Sequence, residues 1–260
     1  MRISIIGSGN VATHLGAALK NAGHQIVQVY SRDAQNAALL AYHIKAEPTN
    51  DLQQLTADTD LFILSVNDDA IDSIAAAVAV HQKPMVHTSG ATALQVLLKY
   101  TDQAGVFYPL QTFSKTKEVD FWQVPLCIEG AYEDLTADLI QLARTISNNV
   151  STVNSFQRKI LHLSAVFACN FPNYLYHAAQ QLLAEHQLDF NLLRPLIKET
   201  AQKIEQQLPA NVQTGPAVRG DKKTMAAHME LLHNEPILKD IYVVLSQAII
   251  KMAEGKHRVE

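Results

Sequence analysis

The sequence is poor in cysteine, with only Cys127 and Cys169 among its 260 residues. Neither residue stands in a C-x-x-C pair or in another spacing typical of metal or redox sites. A disulfide framework and a cysteine-based metal centre are therefore excluded. We expect a protein of a reducing cytoplasm, with two buried thiols and no bound metal.

Long basic runs and long apolar runs are also missing. The net charge is −4, and the basic pairs Arg158-Lys159 and Lys222-Lys223 are too short to form a nucleic-acid surface. No apolar run approaches the length that spans a membrane, and the N-terminus has the pattern of a strand rather than of a signal peptide. We expect a protein of enzyme size whose ligands are small molecules.

A glycine turn directly after the first apolar segment is the most informative motif. Residues 2–6 have the pattern of a strand, residues 10–22 that of an amphipathic helix, and the sequence G-S-G-N-V-A joins them. The first glycine permits a tight turn, the second lets the backbone approach a pyrophosphate, and Ala12 replaces the third. The alternative is a plain strand-turn-helix. The residues predicted to hold the pyrophosphate at the helix N-terminus are Gly7, Ser8, Gly9, Asn10 and Val11.

Strand and helix patterns alternate through the first 153 residues. Strands are predicted at 25–30, 61–66, 84–87, 104–107 and 150–153, with helices at 34–42, 71–80, 93–98 and 135–144. This alternation predicts right-handed crossovers and a Rossmann-type, doubly wound parallel sheet. Ligands of such sheets bind at the carboxyl ends of the strands, so those ends are where functional residues are expected.

The end of the second strand favours NADP over NAD. An NAD site usually places Asp or Glu there, whereas this chain has Ser31 and Arg32, whose hydroxyl and guanidinium suit a 2′-phosphate. Asp33 fits better as the cap of the next helix. The alternative for Arg32 is a solvated surface arginine.

Three further strand ends carry polar or flexible residues that are either ligand contacts or turn chemistry. They are Ser65, Val66 and Asn67, then Thr88, Ser89 and Gly90, and finally Tyr108. The first three and Thr88 are predicted to contact the cofactor, and Ser89 is predicted to orient the substrate. Asp68 or Asp69 is expected to cap the intervening helix.

Strand patterns stop near residue 154, and helices are predicted at 155–184, 191–207, 221–232 and 236–253. We therefore divide the chain into a nucleotide-binding domain, residues 1–153, and an all-helical substrate and dimerisation domain, residues 154–260. A ligand cleft is expected between them.

The first of these helices is apolar on nearly every side, which predicts a buried helix. At about 100° per residue, Lys159, His162, Asn170 and Asn173 nevertheless fall on one polar stripe. Either this stripe faces a polar cleft, or Lys159 reaches solvent while His162 and Asn170 bond nearby backbone.

Arg219 lies in a loop that glycine and proline make rigid. It either binds an anion or pairs with Asp221, which is also a good cap for the next helix.

Taken together, these motifs resemble one bacterial family. The matching segments are residues 7–12, 87–90, 108–113, 161–171 and 214–221. The family joins a Rossmann-like domain to a helical domain of unknown function and is labelled NADP oxidoreductase. The resemblance covers almost the whole chain and implies the 6-phosphogluconate dehydrogenase-like superfamily, with pyrroline-5-carboxylate reductase and ketopantoate reductase as relatives. It implies a helical C-terminal domain that forms a homodimer and closes the active site.

Two departures from the superfamily pattern bear on the chemistry. Many of its dehydrogenases use a Lys and an Asn one helical turn apart, whereas Leu163 stands one turn after Lys159 here. Tyr108 stands where related proteins often have His. Because neither usual group is present, the pattern leaves the proton donor open, and we assign it to His162.

The sequence thus predicts an NADPH-linked oxidoreductase acting on a small, anionic carbonyl or imine compound. The predicted catalytic residues are His162, Asn170 and Ser89, and the predicted substrate-binding residues are Gly90, Tyr108, Lys159 and Arg219. One alternative is a sensor or scaffold that binds NADP without turning it over. Another is a site for a different phosphate compound, such as a flavin or a nucleotide sugar.

Overall fold

The N-terminal part of the chain is built on one eight-stranded sheet in the computed structural model, which describes residues 1–256. The strands are β1 Arg2–Ile6, β2 Gln25–Tyr30, β3 Glu47–Thr49, β4 Leu61–Leu64, β5 Met85–His87, β6 Ala104–Pro109, β7 Leu126–Gly130 and β8 Val150–Thr152. Their order across the sheet is β3-β2-β1-β4-β5-β6-β7-β8. The order reverses between β1 and β4, which confirms the predicted Rossmann-type, doubly wound fold.

Helices connect these strands and continue to the end of the described chain. They are α1 Asn10–Asn21, α2 Ala34–Ile44, α3 Asp68–Val78, α4 Gln95–Leu98, α5 Glu133–Arg144, α6 Ser155–Ala165, α7 Phe171–Glu185, α8 Arg194–Gln206, α9 Lys222–Leu231 and α10 Pro236–Lys256. Contacts divide the chain into two compact units, one ending at Asn170 and the other beginning at Phe171. This division lies one helix after the boundary predicted between residues 153 and 154. The predicted boundary separates a nucleotide-binding domain from a substrate domain, and that functional division stays a prediction.

The sheet differs from the predicted one in two strands that the sequence pattern did not reveal. β3 is a three-residue edge strand whose centre is Pro48, a residue tolerated only at an edge. β7 pairs antiparallel with β6, while every other pair is parallel. An antiparallel pair needs no helical crossover, and residues 110–125 contain only a short 3-10 turn.

Alternate residues of the strands build two apolar layers, one on each face of the sheet. In β4, Leu61 and Ile63 pack with α1, α2 and α5, whereas Phe62 and Leu64 pack with α3 and α4. A side chain added at Gly16 would meet Ile5 Cδ1 at 2.8 Å, so α1 lies close against β1. These layers hold the carboxyl ends of the central strands in fixed positions.

Helix α6 is anchored to the sheet by a fully buried arginine. The Arg158 guanidinium donates to Glu129 on β7 and, at 2.6 Å, to the Thr92 carbonyl in the loop after β5. Ser155 completes the anchor, because its backbone N–H and hydroxyl both bond the Glu129 carboxylate at 2.9 Å. The start of α6 therefore belongs to the first compact unit.

The prediction that this helix is buried is wrong. Phe156, Leu163 and Phe167 are 72%, 52% and 64% exposed. Cys169 is exposed too, which corrects the expectation of two buried thiols, although Cys127 is buried as predicted. The sequence pattern indicates that a surface of the helix is apolar. It does not indicate whether other residues of the same chain cover that surface.

A π-helical turn, Val166–Asn170, separates α6 from α7. Pro172, the second residue of α7, has no backbone N–H for the helical ladder, which is a physical reason for the ladder to change register here. The regular angle used to place Asn170 on the stripe of Lys159 and His162 therefore does not hold past Ala165.

The second unit is helical, as predicted. Its helix α9 begins at a cap in which Asp221 accepts from the Thr224 backbone N–H at 3.1 Å and from its hydroxyl at 2.7 Å. This confirms the predicted role of Asp221. The same hydrogen bonds hold the pKa of the Asp221 carboxyl below its usual value.

The anchor of α6 yields a prediction about stability. Replacing Arg158 with Ala leaves the largely buried Glu129 carboxylate unpaired, and we expect the free energy of unfolding to fall by about 3–5 kcal/mol. The paired variant Arg158→Met with Glu129→Leu removes both charges and should recover most of this loss. Chemical denaturation measures both values.

The exposed ion pair between Lys99 and Asp72 offers a matched control. Solvent screens both of its charges, so Lys99→Ala should change the unfolding free energy little. A loss for Arg158→Ala as small as that for Lys99→Ala would contradict the anchoring role.

Candidate nucleotide site and the residues beside it

A cavity of about 170 Å³ lies at the carboxyl ends of β1, β2 and β4. Its lining contains eight residues that the sequence predicts to bind the cofactor: Gly7, Ser8, Gly9, Ser31, Arg32, Ser65, Val66 and Asn67. These residues come from three separate segments of the chain. The position is the reversal point of strand order, where nucleotides bind in sheets of this type.

The glycine turn meets a strict steric requirement. Gly7 has φ +125°, and a Cβ there would lie 2.0 Å from the carbonyl oxygen of Ser65. Gly9 is exposed, and a Cβ there would meet no atom within 4 Å. The first glycine is therefore fixed by the protein's own backbone, whereas the second leaves open space over the start of α1.

The N-terminus of α1 is suited to an anion. Gly9 is its cap residue, and no side chain of the described residues caps the helix there. The first backbone N–H groups of a helix have no partner within it, and the helix dipole adds positive potential at the same end. A phosphate beside Gly9 would satisfy those groups.

Serine and arginine side chains meet at the end of β2. Ser8 Oγ donates to Ser31 Oγ at 2.8 Å, which links the glycine turn to the second strand. Arg32 is exposed and takes part in none of the ion pairs formed by residues 1–256, so its guanidinium remains available to a phosphate. Asp33 Oδ1 accepts from Gln35 and Asn36 N–H at 2.8 and 3.2 Å, which confirms it as the cap of α2.

The residues after β4 connect the cavity to the neighbouring strand end. Thr88 Oγ1 donates to Ser65 Oγ at 3.3 Å, although Thr88 itself is not among the lining residues. Asn67 is the cap residue of α3, while Asp68 and Asp69 lie within its first turn. The prediction that one of these two aspartates caps α3 is therefore wrong.

The loop after β5 is shaped by side chains. Ser89 is buried, and its Oγ accepts from Ala91 and Thr92 N–H at 3.1 and 2.9 Å. His87 Nδ1 accepts from the Ser89 N–H at 3.1 Å. Because Arg158 holds the Thr92 carbonyl, the loop is fixed at both ends.

Tyr108 and His162 form a close pair beyond this loop. The Tyr108 hydroxyl lies 3.1 Å from His162 Nδ1, and the two rings meet edge to face with centroids 6.1 Å apart. A Cβ at Gly90 would lie 2.7 Å from His162 Nδ1 and 2.8 Å from Tyr108 Cζ. Three residues predicted from separate motifs therefore come together.

Other predicted site residues lie apart from these contacts. Asn10 is exposed, and its side-chain amide donates to the Phe113 carbonyl at 2.9 Å. Lys159 and Asn170 are exposed on α6 and the π-helical turn, and Arg219 is exposed in the second unit. Val11 is half-buried and lies outside the cavity lining. Their roles stay predictions.

Sequence reasoning missed His87, Glu129 and Arg158, which shape the loop and anchor α6. Burial, with a smaller contribution from the Arg158 charge, lowers the pKa of His87 to about 3. A basic residue next to Lys159 in an amphipathic helix carries no sign that it is buried. Only the three-dimensional pairing with Glu129 reveals it.

A larger cavity of about 750 Å³ lies between α1 and residues 115–122. It contacts the C-terminal half of α1, including Ala18 and Ala22, which is the end of a helix that disfavours phosphate. Within residues 1–256, no group of His, Cys, Asp or Glu is arranged to hold a metal ion. No helix in that range is both long and apolar enough to cross a membrane.

Comparison with known proteins agrees with this two-part organisation. A Rossmann-like domain model matches residues 1–112, and the model of a domain of unknown function, DUF2520, matches residues 124–249. A solved protein from Bacteroides fragilis, described as a "putative NADP oxidoreductase", is 40% identical over 96% of this chain and 98% of its own, with a TM-score of 0.91. The chain belongs to this Rossmann-like and DUF2520 family.

More distant structures share the fold. A Myxococcus stipitatus imine reductase in complex with NADP⁺ is 13% identical, with a TM-score of 0.70 over 99% of this chain and 96% of its own. A 1-pyrroline-5-carboxylate reductase from Streptococcus pyogenes is 15% identical, with a TM-score of 0.66 over 98% of both chains. No curated protein matches the chain in sequence.

Burial of His87 predicts a pH dependence of stability. The unfolded chain binds a proton at His87 below pH ~6.5, whereas folded His87 stays neutral until its pKa of about 3. The unfolded state therefore gains protons first as the pH falls. The free energy of unfolding should drop by about 2 kcal/mol between pH 8 and pH 5 from this residue alone.

The variant His87→Asn isolates this contribution, because the Asn carbonyl oxygen can replace Nδ1 as acceptor but does not titrate. As the pH is lowered from 8 to 5, the free energy of unfolding of the parent protein should fall by about 2 kcal/mol relative to that of the variant. Curves that remain parallel over this range would show that His87 is not the buried titrating group.

Proposed function

We propose that this protein is an NADPH-dependent oxidoreductase that reduces a small, anionic carbonyl or imine compound. The observation that carries the proposal is the cavity lined by the glycine turn, the Ser31-Arg32 pair and the end of β4. The likeness to a "putative NADP oxidoreductase" and to an imine reductase in complex with NADP⁺ supports it.

The residues present fit NADP on structural grounds. Gly7 removes the side chain that would collide with the Ser65 carbonyl, and the uncapped start of α1 offers N–H groups to a pyrophosphate. Arg32 and Ser31 would hold the 2′-phosphate, because a guanidinium and a hydroxyl bind phosphate oxygens by charge-assisted hydrogen bonds. Asp33 does not oppose this, since its carboxylate is turned to the cap of α2.

Residues beside the cavity would bind and protonate the substrate. Bound NADPH would supply the hydride, which no side chain of the protein can provide. His162 would give a proton to the oxygen or nitrogen of the reduced group, and Ser89 and Gly90 would shape the surface beside it. Asn170, Lys159, Tyr108 and Arg219 remain proposed substrate contacts.

A sensor or scaffold that binds NADP without turnover is the rival function. The absence of a Lys and Asn one turn apart at Lys159 favours it. Incubation of the protein and NADPH with a panel of 2-oxo acids and cyclic imines, including 1-pyrroline-5-carboxylate, separates the two. Coenzyme oxidation with any member supports the enzyme, whereas ordinary NADPH binding with no oxidation supports the sensor.

The proposed 2′-phosphate site predicts coenzyme selectivity. Removal of the Arg32 guanidinium deletes a charged hydrogen bond, which is worth about 1.5–3 kcal/mol. Arg32→Ala should therefore weaken NADPH binding by roughly 10-fold to 150-fold and leave NADH binding unchanged, as measured by calorimetry.

The control is Arg144→Ala, which removes an exposed arginine at the end of α5. It should leave the affinities for both coenzymes unaltered. Equal losses of NADPH and NADH affinity in Arg32→Ala would place Arg32 outside the phosphate site, and no heat with either coenzyme in the parent protein would overturn the proposed function.

We further propose that the protein is a cytoplasmic homodimer. Family resemblance is the first support, and the second is the apolar surface of α10, where Ile237 and Leu245 are 68% and 44% exposed. A second copy of the chain would remove this surface from water.

The dimer predicts a mass in solution twice the 28.7 kDa of the chain. Ile237→Glu with Leu245→Glu places charges on the proposed interface and should give the single-chain mass in light scattering after size exclusion. Leu39→Glu, on exposed α2, should leave the mass unchanged. A single-chain mass for the parent protein would contradict the proposal.

A further inference from the structure

Tyr108 lies at the carboxyl end of the sheet, two strands from the nucleotide cavity. Ser65 directly follows β4, which pairs with β5, and β5 in turn pairs with β6, the strand that carries Tyr108 near its end. Adjacent strands are about 4.8 Å apart, so Tyr108 stands roughly 10 Å across the sheet from the line of β4. The phenol is buried on the same face as Leu64 and Val66.

The direction of the hydrogen bond between Tyr108 and His162 follows from the partners available. Within residues 1–256, His162 Nδ1 is the partner found for the Tyr108 hydroxyl. If Nδ1 carried a proton and donated it, the buried phenol proton would be left without an acceptor, which is costly. Burial also raises the pKa of Tyr108 to about 12, so the phenol keeps its proton at neutral pH.

Gly90 makes this hydrogen bond possible. A Cβ at this position would meet both rings at less than 3 Å, so even alanine would force them apart. The Gly90 backbone is itself held in place, because Ser89 and Arg158 fix the loop on either side. The sheet therefore fixes the position of the Tyr108 ring, and the loop with Gly90 leaves the space in which the His162 ring reaches it.

We propose that Tyr108 is a positioning residue that donates to His162 Nδ1 and keeps the neutral imidazole protonated on Nε2. The inference rests on the proposed function, in which His162 gives a proton to the substrate. It assigns that proton to one atom and explains how a neutral histidine can release it.

The proton step balances through the pair. The Nε2–H bond of His162 breaks as an O–H or N–H bond forms on the reduced substrate. The Tyr108 O–H bond breaks as an N–H bond forms at Nδ1, so the imidazole stays neutral and changes tautomer. A proton from solvent then adds at Nε2 while Nδ1 returns its proton to the Tyr108 phenolate, which restores both the tautomer and the phenol. An alkoxide is a stronger base than this phenolate, so the proton moves in the required direction.

Nuclear magnetic resonance of protein labelled with ¹⁵N-histidine tests the inference without a substrate. His162→Gln assigns the resonances, and we expect the pattern of an Nε2-protonated ring in the parent protein above pH 8. Tyr108→Phe should show a mixture that includes the Nδ1-protonated tautomer, whereas Tyr42→Phe, which changes an exposed tyrosine on α2, should keep the parent pattern. A neutral His162 protonated on Nδ1 in the parent protein would overturn the inference.

The second measurement uses NADPH and any member of the imine and oxo-acid panel that is reduced. Tyr108→Phe should lower kcat by about 100-fold or more, with the KM for NADPH changed by less than a factor of three. An unchanged kcat would overturn the inference and leave the proposed function standing. If no member of the panel is reduced, the proposed function fails, and the tautomer alone decides the role of Tyr108.

Discussion

Arg158 is fully buried, and its charge is held between the Glu129 carboxylate on β7 and the Thr92 carbonyl in the loop after β5. A buried charge is tolerated only where such partners surround it. The requirement ties three distant segments to one point, because none of them can move away without leaving a polar group unpaired. His162 lies one helical turn after Arg158, so this ion pair also sets where the imidazole stands.

The nucleotide half of the site depends on a different constraint, which is steric. The approach of Gly7 to the Ser65 carbonyl joins the ends of β1 and β4 so closely that no side chain fits between them. This contact leaves the start of α1 open beside the cavity. Arg32, which forms no ion pair among the described residues, is then the charge proposed to add selectivity, while Asp33 is committed to the cap of α2.

The nucleotide cavity could be predicted from the sequence, whereas the anchor of α6 and the contacts beside it could not. The glycine turn, the Ser31-Arg32 pair and the end of β4 are local motifs whose place in a parallel sheet follows from strand order, and eight of their residues line one cavity. Strand β3 was missed because proline occupies its centre, and β7 because no helix precedes it. The exposure of Phe156 and Leu163 was missed because hydrophobicity does not tell which chain buries a surface.

The pairing of Tyr108 with His162 is the kind of feature that sequence cannot supply. The two residues are separated by 54 positions, and their contact depends on Arg158, Ser89 and Gly90 acting on the same loop. In the sequence, nothing at Tyr108 points to a partner on α6. The structure shows a histidine beside that position, supplied by α6 rather than by the strand. The hydrogen bond between the two rings therefore follows from the packing of α6 against the sheet, which no local sequence pattern encodes.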